Sequence, residues 1–189
     1  PLDKTIFFVS SKSGTTSEMD AGFRYFWEEL EKAGQTAPER QFVAISAPGT
    51  ILEKLAKEKG FRRIFSANPN VGGRYSALIE FGLLPAVVAG VDVNTLLGSA
   101  EDMMISCNDS DDQVLNPGIL LGIIMAEANT GGRDKLTIIA DSALEPIGAW
   151  IEQLIAESSG KDGKGILPVA GEPMVKPEKY GSDRLFVYL

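Results

Sequence analysis

The chain has 189 residues and a net charge of −8, with 44% hydrophobic and 23% charged residues, enough for one ordinary domain with a sizeable core. That acidic balance, without any basic stripe, excludes a nucleic-acid partner, whose phosphates are met by clustered Lys and Arg; an anionic ligand must be held by a local device. The single cysteine, Cys107, makes no internal disulfide and points to a reducing, cytoplasmic setting, and the longest apolar runs, "FGLLPAVVAGV" and "GILLGIIMA", fall short of the ~20 residues of a membrane span.

In chain order, "TIFFVSS" is a buried-type strand. Met19, Phe23, Phe26, Trp27, Leu30 and Ala33 follow at helical spacing, and Gly34 closes that helix. "QFVAIS" is a second strand. "PGTILEKLAKEKG" is a short helix with Pro48 near its start and Gly60 past its end. "RRIFSA" is a third strand, followed by the turn-rich "NPNVGGRYS" and apolar helical segments at about 76–90, 92–106 and 117–129. "DKLTIIAD" is a fourth strand, 144–158 a helix, "SGKDGK" a solvated turn, "GILPV" a fifth strand and "DRLFVYL" a sixth. Strands and helices alternate and the strands are uniformly apolar, which predicts an α/β fold: a mainly parallel sheet covered by helices. No repeat, low-complexity tract or long linker divides residues 1–189, which read as a single domain. The chain opens on Pro1 and stops on a strand, and so reads as a portion of a longer protein. It holds no histidine, which excludes Ser–His and Cys–His nucleophilic arrangements within it.

In parallel α/β sheets, ligands bind beyond the carboxyl ends of the strands, and three motifs are placed for that. The first is "SSKSGTT" between strand one and helix one. Helix-start N–H groups favour anions; the hydroxyls of Ser11, Ser13, Thr15 and Thr16 add uncharged donors, and Lys12 adds charge or its backbone N–H. Gly14 permits close approach or a positive φ. Together these suit a phosphate monoester. The plainer reading is a capping turn, with Thr15 and Glu18 in an S/T-x-x-E box. The second motif is "NVGGRYS" after strand three, where Gly72-Gly73 lets the backbone fold tightly beside a ligand and Arg74 offers a rigid, permanently charged fork; the plainer reading is a surface turn. The third is "IGAWIEQLIAESSGK". Ile147, Ile151, Leu154 and Ile155 mark a buried face, and Gln153 and Glu157, four apart, share another. Glu157 falls in the last turn, at the negative end of the helix dipole, a setting that suits a general base. The plainer reading is an ordinary exposed glutamate.

At these three motifs the chain resembles the glucose-6-phosphate isomerase family. "SSKSGTT" is similar to its Ser-Lys-Thr-x-Thr-Thr phosphate loop, with Ser13 in place of a threonine; "VGGRYS" to its Gly-Gly-Arg segment; "QLIAESSGK" to the signature holding its glutamate. "GKGILPV" and "GEP" further resemble the isomerase half of bifunctional transaldolase/glucose-6-phosphate isomerase proteins. The resemblance implies a sugar-isomerase domain, a three-layer α-β-α sandwich on a five-stranded parallel sheet. It implies interconversion of glucose 6-phosphate and fructose 6-phosphate, a step of glycolysis and gluconeogenesis, with a hexose 6-phosphate as partner and no metal or organic cofactor. Ser11, Lys12, Ser13 and Thr16 would hold the phosphate with Thr15 close by. Glu157 would move a proton between C1 and C2 through a cis-enediol. Arg74 would stabilise the enediolate oxygens, Gly73 would lie beside the sugar, and Gln153 would orient its hydroxyls. The family opens the sugar ring with a histidine contributed across a homodimer; this chain has none, so catalysis by it alone is expected to be weak or absent. The competing reading is a non-catalytic sugar-phosphate sensor on the same domain. A generic nucleotide binder ranks below both, because no G-x-G-x-x-G follows strand one.

Overall fold

The computed structural model describes residues 1–108 and 116–189. They fall into two compact units, Pro1–Val93 and Asn94–Leu189, each with its own three-stranded parallel sheet. The α/β class with parallel sheets flanked by helices is as predicted. The single five-stranded sheet is not: six strands divide three and three. Alternation along a chain sets strand count and direction, but pairing is made by backbone hydrogen bonds between segments far apart in sequence.

In the N-terminal unit β1 (Phe7–Ser10), β2 (Phe42–Ser46) and β3 (Arg63–Ser66) lie in the order β1-β2-β3. Phe7 pairs with Phe42 and Ser10 with Ile45, so β1 and β2 run in step. Every residue of the central β2 is buried, as its unbroken apolar run requires. Between the strands run α1 (Ser17–Lys32) and α2 (Ile51–Lys59). Phe23 and Trp27, one turn apart on α1, close over Phe42; their ring centroids lie 5.3 and 5.4 Å from it, with Phe7 at 5.2 Å and Phe61 at 5.3 Å. This aromatic cluster, joined by Val9, Leu30, Ala44, Leu52 and Ala56, fixes both helices against the sheet and thereby the loops at its carboxyl edge.

The capping box forms at α2, not at α1. The Thr50 hydroxyl accepts from the Glu53 N–H at 3.2 Å, and the Glu53 carboxylate reaches back to the Gly49 N–H at 2.7 Å. Gly60, at φ 74°, closes the helix. On α1 the N-cap is Thr16, which makes no side-chain capping bond, and Glu18 accepts only from the Ser17 hydroxyl among the bonds described. The predicted helix over 76–90 is two pieces, a 3-10 segment Gly73–Leu78 and α3 (Glu80–Val88). Ile79 is extended between them, and Gly82 folds onto the carbonyl of Ala77, where a Cβ would collide with the oxygen.

The C-terminal unit holds α4 (Val93–Asn108, its first residue in the N-terminal unit) and α5 (Pro117–Thr130). Asn116 caps α5 by accepting from the Ile119 N–H at 3.0 Å and donates to the Cys107 carbonyl at 2.6 Å. Neither helix has a fully buried residue. The sheet follows in the order β5-β4-β6, with β4 (Lys135–Ile139) paired in parallel to both β5 (Leu167–Val169) and β6 (Arg184–Tyr188). α6 (Ile147–Ser159) connects β4 to β5. Its fully buried residue is Gly148, where a Cβ would stand 2.9 Å from that of Ala170; Ile147 is 38% exposed, and Ile151, Leu154 and Ile155 are half-buried rather than buried as predicted. Among the described residues no helix is long and apolar enough to cross a membrane.

Charge ties the edges of this second sheet. Lys135 lies 2.7 Å from Asp183 and 2.9 Å from Asp134, and Arg184 grips Glu172 at 2.6 and 3.2 Å. The hydrogen bond from Lys135 holds the Asp183 carboxyl below its usual range, and the same contact raises Lys135. A depressed carboxyl contributes stability above its unfolded pKa and loses it as pH falls through the folded value. Melting temperature is therefore expected to drop from about pH 4 downward, and Asp183→Asn to flatten that acid limb in a melting series; an unchanged slope would sink the assignment.

Candidate functional site

The loop after β1 is built by its own hydroxyls. Ser11, buried, accepts from the Gly14 N–H at 3.0 Å and shares a hydrogen bond with Thr16 at 2.9 Å. Ser13 and Thr15, both exposed, are joined at 2.8 Å, and Ser13 also accepts from the Thr15 N–H at 3.3 Å. Gly14 sits at φ +72°, and a Cβ there would stand 2.6 Å from the Leu52 backbone nitrogen. The loop apex is thus pressed onto the first turn of α2, which meets the expectation of close approach and positive φ.

No N-cap side chain takes the first-turn N–H groups of α1, which spans 16 residues. Those donors and the positive end of the helix dipole are therefore left without a side-chain cap from Thr16. Of the two acidic groups in that turn, Asp20 is held by Arg24 at 2.7 Å and Glu18 by the Ser17 hydroxyl at 3.1 Å.

Ser10, Ser11 and Lys12 line one wall of a cleft of about 260 Å³ whose other wall is Gly73, Ser76 and Phe81. The structure thereby brings the first two motifs together within the N-terminal unit. Gly73 is exposed and has nothing within 4 Å of where a Cβ would stand, so its smallness is not demanded by packing and leaves backbone open to the cleft. The next residue, Arg74, is half-buried and lays its guanidinium 4.9 Å over the Tyr75 ring. Stacking of this kind restrains the fork's orientation. Ser13, Thr15 and Thr16 belong to the same loop but are not among the residues that line this cleft.

The third motif lies in the C-terminal unit. Glu157 occupies the last turn of α6, and the Gln153 amide donates to its carboxylate at 3.4 Å. Both are exposed and share one helix face, as their spacing predicts.

Three residues of the cleft carry no site assignment from the sequence. Ser76 stands one 3-10 turn after Gly73 and donates to its carbonyl at 2.6 Å; the i, i+3 spacing inside "GGRYS" is the available signal. Ser10 ends β1 next to the assigned hydroxyls. Phe81 lies in an apolar run with no mark of its own.

A family model described as phosphoglucose isomerase matches residues 1–166. The chain belongs to the phosphoglucose isomerase family. Glucose-6-phosphate isomerase of Clostridium novyi is 37% identical over 167 residues, covering 87% of this chain and 37% of that protein. The enzyme of the same name from Symbiobacterium thermophilum is 36% identical over 165 residues, covering 86% and 36%. The chain thus spans about a third of the length of the curated relatives it matches. Among solved structures, a hypothetical protein from Thermus thermophilus superposes over the whole chain, with 48% of its own length, at a TM-score of 0.87 and 25% identity. A glucose-6-phosphate isomerase from Chlamydia trachomatis covers 88% of this chain and 32% of its own at a TM-score of 0.68; at 24% identity it supports the fold alone. The phosphoglucose isomerase match takes in all three motifs and ends just before β5.

Proposed function

We propose that the chain is a catalytic portion of an aldose–ketose isomerase acting on hexose 6-phosphates, glucose 6-phosphate and fructose 6-phosphate. The observation that carries the reading is the loop after β1: five hydroxyl or lysine side chains, an uncapped 16-residue helix start and a cleft shared with Gly73. Curated relatives named glucose-6-phosphate isomerase support it. On this reading residues 1–189 serve as one functional piece in the cytoplasm, within glycolysis and gluconeogenesis, and the working assembly is a homodimer.

The roles are those that the family resemblance implies, and the chemistry is coherent with them. Ser11, Lys12, Ser13 and Thr16, with Thr15 beside them, supply N–H and O–H donors for three phosphate oxygens. The proton on C2 of the open-chain aldose is very weakly acidic, so removing it needs a base and a partner for the charge that builds on oxygen. Glu157 is assigned as the base: its carboxylate takes the C2 proton, leaving a cis-enediolate, and delivers that proton to C1 as a proton passes from the C2 hydroxyl to the C1 oxygen, which gives the ketose. Arg74 is assigned to the oxygens, where a fixed cation stabilises the enediolate more than the ground state. Gln153 orients hydroxyls, and Gly73 admits the sugar against the backbone. Ring opening, which the chain lacks a histidine to assist, draws on residues outside it.

The test is titration of the chain with a phosphorylated sugar acid that mimics the enediolate. Ser13→Ala with Thr16→Ala is expected to weaken binding by about 10²–10⁴-fold, two hydrogen bonds to a charged group being worth roughly 1.5–3 kcal/mol each. Binding untouched by both substitutions refutes the loop assignment. A sensor would need the loop but no base, so phosphate binding without proton transfer favours that reading instead.

A further inference from the structure

We infer that Ser46 and Thr50 are positioning residues that hold the phosphate loop in its binding conformation through Ser11; the inference rests on the anion-binding reading above. Ser46 ends β2, is 1% exposed and is not among the residues lining the cleft, so it reaches no ligand. Its hydroxyl donates to the Ser11 carbonyl at 2.8 Å and meets the Thr50 hydroxyl at 2.6 Å. Thr50 in turn caps α2, accepting from the Glu53 N–H at 3.2 Å, and lies 2.9 Å from the Ala47 carbonyl. Two backbone bonds flank this contact: Ser11 N–H to the Ile45 carbonyl at 3.0 Å and Ala47 N–H to the Lys12 carbonyl at 3.3 Å.

The result is a strut that is buried at its Ser46–Ser11 end and half-buried at Thr50. It runs from the start of α2 through two hydroxyls to the backbone of Ser11, whose own hydroxyl sets Gly14 and Thr16. Each hydroxyl carries a single hydrogen. Ser46 gives its hydrogen to Ser11, so Thr50 donates either to Ser46 or to Ala47, and both arrangements leave the Ser11 carbonyl satisfied. Removing the Ser46 hydroxyl strands that carbonyl in a buried place, where an unmet acceptor is strongly unfavourable. The loop relieves this by turning the carbonyl toward solvent, which swings the Ser11 hydroxyl off Gly14 and Thr16 and spoils the phosphate donors.

The test uses chain 1–189 and inorganic phosphate, titrated calorimetrically, with melting temperature measured alongside. Ser46→Ala is expected to weaken phosphate binding about tenfold, and Thr50→Ala severalfold. Thr50→Ser, which keeps the hydroxyl, restores affinity. Val43→Ala, a buried β2 change with no side chain in the strut, lowers melting temperature at least as much and leaves phosphate affinity unchanged. Wild-type affinity in both Ser46→Ala and Thr50→Ala, or an equal loss in Val43→Ala, overturns the inference. If Ser13→Ala with Thr16→Ala weakens phosphate binding while Ser46→Ala and Thr50→Ala leave it at the wild-type level, the positioning role alone falls. If the wild-type chain takes up no phosphate, the role falls together with the loop assignment.

Discussion

Glu157→Gln is expected to slow exchange of a C1 proton of fructose 6-phosphate with solvent deuterium by about 10²–10⁴-fold, the usual contribution of a positioned general base, while phosphate affinity stays at the wild-type level. Glutamine keeps the shape and the hydrogen-bonding reach of glutamate but takes up no proton. Exchange is the appropriate readout because it registers proton removal from the open-chain ketose and does not require ring opening. Folding does not confound the result. Glu157 is exposed in the last turn of α6, and removing a negative charge from a helix C-terminus is neutral or mildly stabilising. Equal exchange in the wild-type and Glu157→Gln chains would remove Glu157 from the mechanism. Wild-type phosphate binding without any exchange would move the whole reading to a sugar-phosphate sensor.

Gly14→Ala is expected to destabilise the N-terminal unit by about 2–5 kcal/mol and to abolish phosphate binding. Two costs add. For a residue with a Cβ, φ +72° is the left-handed conformation, which costs roughly 1–2 kcal/mol. The added carbon would also stand 2.6 Å from the Leu52 nitrogen and 3.0 Å from its Cβ, and overpacking of this kind costs about 1–3 kcal/mol. Neither neighbour is a flexible side-chain end: one is the backbone of α2's first turn, the other a 1%-exposed core residue. Urea unfolding gives the stability change and phosphate titration the binding loss. A variant as stable as the wild type would mean that Gly14 does not lie against α2.

Two capping signals of the same form meet different fates in the fold. "TSE" after Thr15 and "ILE" after Thr50 present the same S/T-x-x-E spacing. At Thr50 the box forms because Gly49, at φ +78°, turns its N–H toward the Glu53 carboxylate. At Thr15 the hydroxyl is taken by Ser13, the helix begins one residue later than the box requires, and the helix start is left to the loop. Spacing alone does not distinguish the two, since the decision lies in loop conformation. By contrast, the i, i+4 relation of Gln153 and Glu157 is legible in the sequence because helix geometry makes it local. The shared cleft of Ser11 and Gly73 is legible only as a common sheet edge.

What the residues settle by themselves is local and periodic: six strands, the helices between them, the hydroxyl-rich turn after the first strand, and a carboxylate one helical turn from an amide. Those features depend on side-chain alternation, on glycine's freedom and on the i, i+4 repeat, all of which operate within a few residues. The three-plus-three division of strands, the seating of Gly14 on Leu52 and the hydroxyl strut from Thr50 to Ser11 were decided by tertiary structure. Each of these is a contact between segments tens of residues apart, or a backbone turn imposed by such a contact, and its energy is set by packing and hydrogen-bond partners that no single window of the chain contains.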